Sequence, residues 1–192
     1  METFRTHRLF VFLLLFHLSG FALNHNSVKA QDARTNDAVV PLHRLTSTWS
    51  EGDLAGLYAF DPKDDFADNL EVVEGFLSYH FQSHPSLTLP TTALSTDHVD
   101  NPKKLILLQQ GLETLQSGNT DYRTVKFVEI RFSSIGEFQR FVSNPATLKR
   151  LPNLNFILFR FSAQTGLADI ASNLGNASLM DYQVFFSIDS SN

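Results

Sequence analysis

The sequence predicts an α/β fold: a short parallel sheet built from βα units that repeat every 29 residues, with an N-terminal helical part packed on it. Three observations carry that expectation. The first is a copied segment. Val125-Lys-Phe-Val-Glu-Ile-Arg-Phe-Ser133 returns as Leu154-Asn-Phe-Ile-Leu-Phe-Arg-Phe-Ser162, and in weaker form as Gln183-Val-Phe-Phe-Ser-Ile-Asp-Ser-Ser191, each 29 residues further on. Ser143 and Asn144 likewise return as Ser172 and Asn173, and Phe138 and Phe141 as Leu167 and Ile170. Copies spaced by roughly 20–50 residues indicate stacked structural units. The second observation is period-two alternation inside each copy, which sorts side chains onto two faces of a strand. The third is a helical segment between copies. Strands joined by helices of this length pair most simply as parallel neighbours with right-handed crossovers.

The chain opens as a targeting segment. Arg5 and Arg8 precede the apolar run Leu9–Leu18, which is too short to span a bilayer and suits a signal peptide. Val28-Lys-Ala30 places small residues where a signal peptidase reads, so residues 1–30 are expected to be removed and the mature chain to be secreted or periplasmic. No later run is apolar enough for a membrane span. Residues 31–192 are expected to form a single domain, long enough to bury a core. With no cysteine, disulfides, zinc thiolates and cysteine nucleophiles are excluded. Residues 31–121 hold 14 acids against 5 bases, and residues 122–192 hold 5 acids against 7 bases. A net-acidic chain without a Lys/Arg cluster argues against nucleic acid as a partner.

Residues 31–64 read as irregular, with turn chemistry around Asn36, Gly52 and Pro62 and a short strand at Val39, Val40 and Leu42. Trp49 and Tyr58-Ala-Phe60 are expected to pack on the core; a sugar-stacking role for Trp49 is the alternative. A helix is expected over 65–83. Asp64, Asp65 and Asp68 crowd its start, Leu70, Val73, Phe76, Leu77, His80 and Phe81 follow at helical spacing, and His84-Pro85 stops it. Residues 87–97 read as an extended loop. A second helix is expected over 101–118, with Asn101 as N-cap, Pro102 at its first position and a stripe of Leu105, Leu108, Leu112 and Leu115. In the repeated half, strands are expected at 126–132, 156–161 and from Gln183, with helices at 135–142 and 166–174.

One strand face carries Val128, Ile130, Phe132, Ile157, Phe159, Phe161, Phe186 and Ile188 and must lie against the crossover helices. If the copies align, the other face stacks in columns: Phe127/Phe156/Phe185, Glu129/Leu158/Ser187 and Arg131/Arg160/Asp189. Burying one Phe is worth roughly 1.5–3 kcal/mol, so the Phe column must be covered, by the front-half helices or by a partner.

Leu148-x-x-Leu151-x-x-Leu154-x-x-Ile157-x-Phe159-x-x-Ser162 resembles the leucine-rich repeat, whose strand segment reads Leu-x-x-Leu-x-Leu-x-x-Asn. The period is similar to that of the helical, ribonuclease-inhibitor-like class, and the likeness covers about residues 122–191. Ser133, Ser162 and Ser191 stand where that family has Asn, and most Leu positions hold Phe, Ile or Val. The resemblance implies a non-catalytic module that binds a protein or peptide on its strand face, through Phe127, Glu129, Arg131, Phe156, Leu158, Arg160, Phe185, Ser187 and Asp189. The alternative is an ordinary βαβαβ unit whose second face is closed by its own front half.

Other chemistry is sparsely marked. His80 and His84 share a helical face at metal-ligand spacing but lack the Glu of a metalloprotease helix, and His98 lies near Asp100 and Ser95. A small metal-dependent hydrolase on His80, His84 or His98, and a carrier of an apolar ligand beneath the Phe column, are the competing readings. No Gly-rich phosphate loop, Gly-x-Ser-x-Gly elbow or calcium loop occurs, so no cofactor or resident metal is expected. Arg131 and Arg160, side by side on neighbouring strands, form a candidate carboxylate or phosphate clamp unless Glu129 and Asp189 neutralise them. N-terminal sequencing of the exported protein is expected to begin at Gln31; a mature chain that retains Arg5 and Arg8 would contradict the processing expectation.

Overall fold

The structure, a computed structural model, describes residues 38–64, 66, 69–90, 99–108, 110–117, 122–162, 164–177, 179 and 181–189. The signal-peptide expectation, His98, and Asp65 and Asp68 of the expected helix start lie outside the described residues.

Seven strands form one sheet in the order β1-β2-β7-β6-β5-β4-β3. They are β1 (Val39–Pro41), β2 (Leu57–Phe60), β3 (Ser86–Leu89), β4 (Lys104–Leu107), β5 (Phe127–Phe132), β6 (Phe156–Phe161) and β7 (Gln183–Ile188). Strands β3 to β7 run parallel, β2 is antiparallel to β7, and β1 is antiparallel to β2. The helices are α1 (Leu70–Phe81), α2 (Gly111–Ser117), α3 (Ile135–Ser143) and α4 (Leu167–Gly175), with a 3-10 segment at Pro145–Arg150 after α3. The α/β class is as expected, but the sheet is wider than the repeated half alone.

Each strand divides its side chains between two cores. Val128, Ile130, Phe132, Ile157, Phe159, Phe161, Val184 and Phe186 join Leu115, Phe138, Phe141, Leu148, Ile170 and Leu174 in the first core, on the side of α2, α3 and α4. Phe127, Phe156, Leu158 and Phe185 point the other way, into a second core with Val73, Phe76 and Leu77 of α1 and with Leu42, Leu45 and Leu54. Topology explains why α1 lies there. The chain leaves β2 beside β7 and must reach β3 at the far edge, five strand spacings or about 24 Å away. The 12 residues of α1 span about 18 Å of that path.

The fit is close. The Phe76 ring stacks on Phe185 at 3.8 Å and on Phe127 at 5.8 Å and meets Phe156 edge-on at 6.4 Å. Gly75 lets the helix approach: a Cβ there would stand 3.2 Å from the Phe156 ring. The second strand face is therefore closed by the chain's own front half, the alternative to a face open to a partner. Phe127 and Phe185 are fully buried, and Phe156, Leu158 and Glu129 are buried with them.

Three expectations change. First, the offset of 29 residues aligns β5 with β6, pairing Phe127 with Phe156 and Arg131 with Arg160. It does not extend to β7, where Phe156 pairs with Gln183, Leu158 with Phe185 and Arg160 with Ser187. Val128, Ile157 and Phe186 are thus not one lateral row; Val184 takes the third place. A two-residue slip leaves every side chain on its own face, so the hydrophobic pattern is blind to it.

Second, the helix expected over 101–118 is β4 followed by the short α2. Asn101 is no N-cap but has φ of 55°, in the left-handed region that Asn tolerates. The run Lys104-Leu-Ile-Leu107 is too short to reveal its period, and β3 and β5 offer it ladder partners on both sides. Gly111 opens α2 because a Cβ there would collide with the Leu89 carbonyl. Third, Ser86–Leu89 is strand β3 rather than loop, Leu57–Phe60 is a strand, and the first helix begins at Leu70.

Phe76→Ala is expected to cost about 3–5 kcal/mol, as for other buried Phe truncations. Chemical denaturation reads the loss. Retention of wild-type stability would contradict the placement of α1 over the Phe rings.

Candidate functional site

α1 covers the second face only in part. Alternation puts Lys104 (β4), Glu129 and Arg131 (β5), Arg160 (β6) and Ser187 (β7) on that same face, alongside the apolar rings. They form a charged strip at the margin of the second core.

Glu129 is its centre, with only 4% of its side chain exposed. Its Oε1 accepts from Arg131 Nε at 2.8 Å, with Arg131 Nη2 also at 2.8 Å and Arg160 Nη1 at 3.6 Å. Its Oε2 lies 3.8 Å from Lys104 Nζ. A buried carboxylate is tolerated only when paired, and three cations here share one. Arg160 also donates through Nη2 to Asp189 at 3.0 Å, beyond the end of β7. Among the described residues the strip thus pairs three cations with two carboxylates.

Lys104 lies over the Phe127 ring, 4.9 Å from its centroid. Burial pushes its ammonium pKa below the usual lysine range; the Glu129 carboxylate opposes that shift, and Arg160 and Arg131 add to it. His80, from α1, stacks on Phe76 at 5.7 Å and meets Phe81 edge-on at 4.6 Å. Burial lowers its pKa from 6.5 to about 4; Lys104 and Arg160 push the same way and Glu129 opposes. Phe81 in turn stacks on Trp49 at 4.5 Å, which gives Trp49 a packing partner inside the protein.

Three buried polar atoms of this strip have no hydrogen-bond partner among the described residues: His80 Nδ1, Arg160 Nε and Ser187 Oγ. Each orphaned buried donor or acceptor costs about 1–3 kcal/mol, and these three occur together at one margin of the sheet. Arg131 also lines an open groove of about 350 Å³ with Glu113, Phe132, Glu137, Arg140 and Phe141.

The residues expected from the sequence divide cleanly. Phe127, Phe156, Leu158 and Phe185 are core and present nothing to a partner. Glu129 is buried as the hub of the ion pairs, Arg160 is half-buried, and Arg131 and Asp189 are exposed. The Arg131/Arg160 pair is indeed lateral, and Glu129 and Asp189 engage it as the neutralising alternative foresaw. His80 stacks on Phe76 and His84 on Tyr79 at 4.6 Å, and among the described residues no group of three or more His, Asp or Glu is placed to hold a metal. Lys104 was hidden by the helical reading of 101–118; reading Lys104–Leu107 as an alternating strand would have put it beside Phe127 and Glu129.

No protein-family model, curated protein or solved structure matches this chain. Its site is therefore defined by its own geometry: a charged margin on the covered face of an α/β sheet.

His80 makes a measurable claim. Its folded-state pKa is depressed, so from pH 6.5 down to about 4 the unfolded chain takes up a proton that the folded chain refuses. The stabilising contribution is present above 6.5 and is lost as pH falls through that window. His80→Phe is expected to reduce the drop in denaturation midpoint between about pH 7 and about pH 4.5. An unchanged drop would contradict a neutral, buried His80.

Proposed function

We propose that the protein is an exported, non-catalytic binding protein that takes an acidic segment of a protein or peptide at the charged margin of its sheet. The observation that carries this reading is the convergence of Lys104, Arg131 and Arg160 on the single buried carboxylate of Glu129. Among the described residues Glu129 is shared by three cations, and Asp189, 58% exposed, is only a loosely held second anion. Arg131, 48% exposed, is held to Glu129 through Nε and Nη2, and Arg160, 32% exposed, reaches Glu129 through Nη1 and Asp189 through Nη2. Such preset guanidinium geometry suits carboxylate recognition.

The leucine-rich-repeat likeness supports a binding role but not the mode it implies, because the apolar columns lie beneath α1. The apolar-carrier reading loses its space for the same reason: Phe76 fills the region over Phe185. The hydrolase reading has His80 in its neutral form, but among the described residues no group of three or more His, Asp or Glu is placed to hold a metal beside it.

Fluorescence anisotropy with a labelled Glu-rich peptide, set against a Lys-rich peptide of equal length, tests the proposal. The acidic peptide is expected to bind, more weakly as salt rises, and Arg131→Ala with Arg160→Ala is expected to reduce affinity at least about tenfold, the loss of one or more charge-assisted hydrogen bonds. Equal binding of both peptides, or no effect of the double substitution in a folded variant, would sink it.

A further inference from the structure

We infer that Arg160 and Ser187 form a seat for one carboxylate group, over which Asp189 lies as a displaceable internal substitute. This rests on the reading of the strip as an anion-binding site and names the group it takes. The guanidinium of Arg160 is divided among three directions. Nη1 faces Glu129 at 3.6 Å, Nη2 donates to Asp189 at 3.0 Å, and Nε is buried without a hydrogen-bond partner among the described residues. Ser187 is the residue directly across from Arg160 on β7. It is 7% exposed, flanked by β6 and by Leu57 of β2, and its Oγ also has no partner among the described residues. Both atoms can donate and lie on adjacent strands, and a planar carboxylate has two oxygens to accept from such donors.

Asp189 shows what the outer edge of Arg160 accepts. Its backbone N–H is anchored to the Phe161 carbonyl at 2.9 Å, while its carboxylate rests on Arg160. The side chain is 58% exposed, so this ion pair is weakly held and open to exchange. An incoming carboxylate would take over Nη2 and reach the inner donors Nε and Oγ. Charge sets the valence. Glu129 is fixed beside the seat by three cations, and Asp189, once displaced, remains attached nearby. Two resident carboxylates favour a monoanion over a phosphate dianion.

The test follows the arginine Nε–Hε resonances of ¹⁵N-labelled protein near neutral pH during titration with acetate, with inorganic phosphate, and with one tripeptide bearing a free or an amidated C terminus. Acetate is expected to shift the Arg160 resonance saturably and at lower concentration than phosphate. Ser187→Ala and Arg160→Lys are expected to weaken acetate about tenfold, one charge-assisted hydrogen bond's worth, whereas Asp189→Asn is expected to tighten it several-fold by removing the competitor. The free-acid tripeptide alone binding would assign the seat to peptide termini; acetate and both tripeptide forms behaving as their carboxylates dictate would assign it to free acids as well. Absence of a saturable Arg160 shift, phosphate outcompeting acetate, or Asp189→Asn leaving affinity unchanged would overturn the inference. If the Glu-rich peptide still binds through Arg131 and Arg160 in that case, the wider reading stands without the seat; if it too fails, both fall.

Discussion

The contact between Phe76 and the three rings beneath it governs the molecule. A parallel sheet made of consecutive βα units places all its crossover helices on one side, and the Phe-rich reverse side then needs cover. Here the cover comes from the chain's own route. β2 sits beside β7, and β3 sits at the opposite edge, so the connection must cross the exposed face. α1 makes that crossing with Gly75 against Phe156 and Phe76 against Phe185. A sheet that could have served as a broad contact surface is instead a two-sided core.

What α1 leaves uncovered follows from its length. It closes the apolar columns and stops at Phe81, and the side chains beyond its margin are the charged ones. Glu129 is drawn into low dielectric by its neighbours on the strand. The cost is offset only because Arg131, Arg160 and Lys104 converge on it. The same desolvation that isolates Glu129 lowers the pKa of Lys104 and His80. Perturbed groups, orphaned polar atoms and an excess of cations therefore occur together because they share one cause, the boundary between the second core and solvent.

The shift of β7 by two residues is small in the fold and decisive at the site. With the offset of 29 residues kept, Asp189 would face Arg160 across the strands, and Ser187 would face Leu158. The observed register puts Ser187 across from Arg160 and carries Asp189 past the strand end, from where its carboxylate reaches back. Phe185 moves with it to lie beside Leu158 beneath Phe76. The register satisfies the aromatic packing, and the polar neighbours of Arg160 are set as a consequence.

Legibility followed periodicity. Alternation in 127–132 and 156–161 fixed which side chains share a face, and the helical spacing of Val73, Phe76 and Leu77 identified α1 and its buried stripe, because both patterns are local. Arg131, Arg160, Glu129 and Asp189 were legible as a charge cluster for the same reason. Lys104 was not, since four apolar-rich residues do not declare a period, and β4 exists only because β3 and β5 flank it. By itself the sequence determined the α/β class, the two faces of each strand and the need to cover the Phe residues. Only the tertiary structure decided that α1 covers them, that β7 slips by two, and that Ser187 and Lys104 join the arginines. Those outcomes depend on pairing and packing between segments distant in the chain, where a shift of two residues leaves the local pattern unchanged.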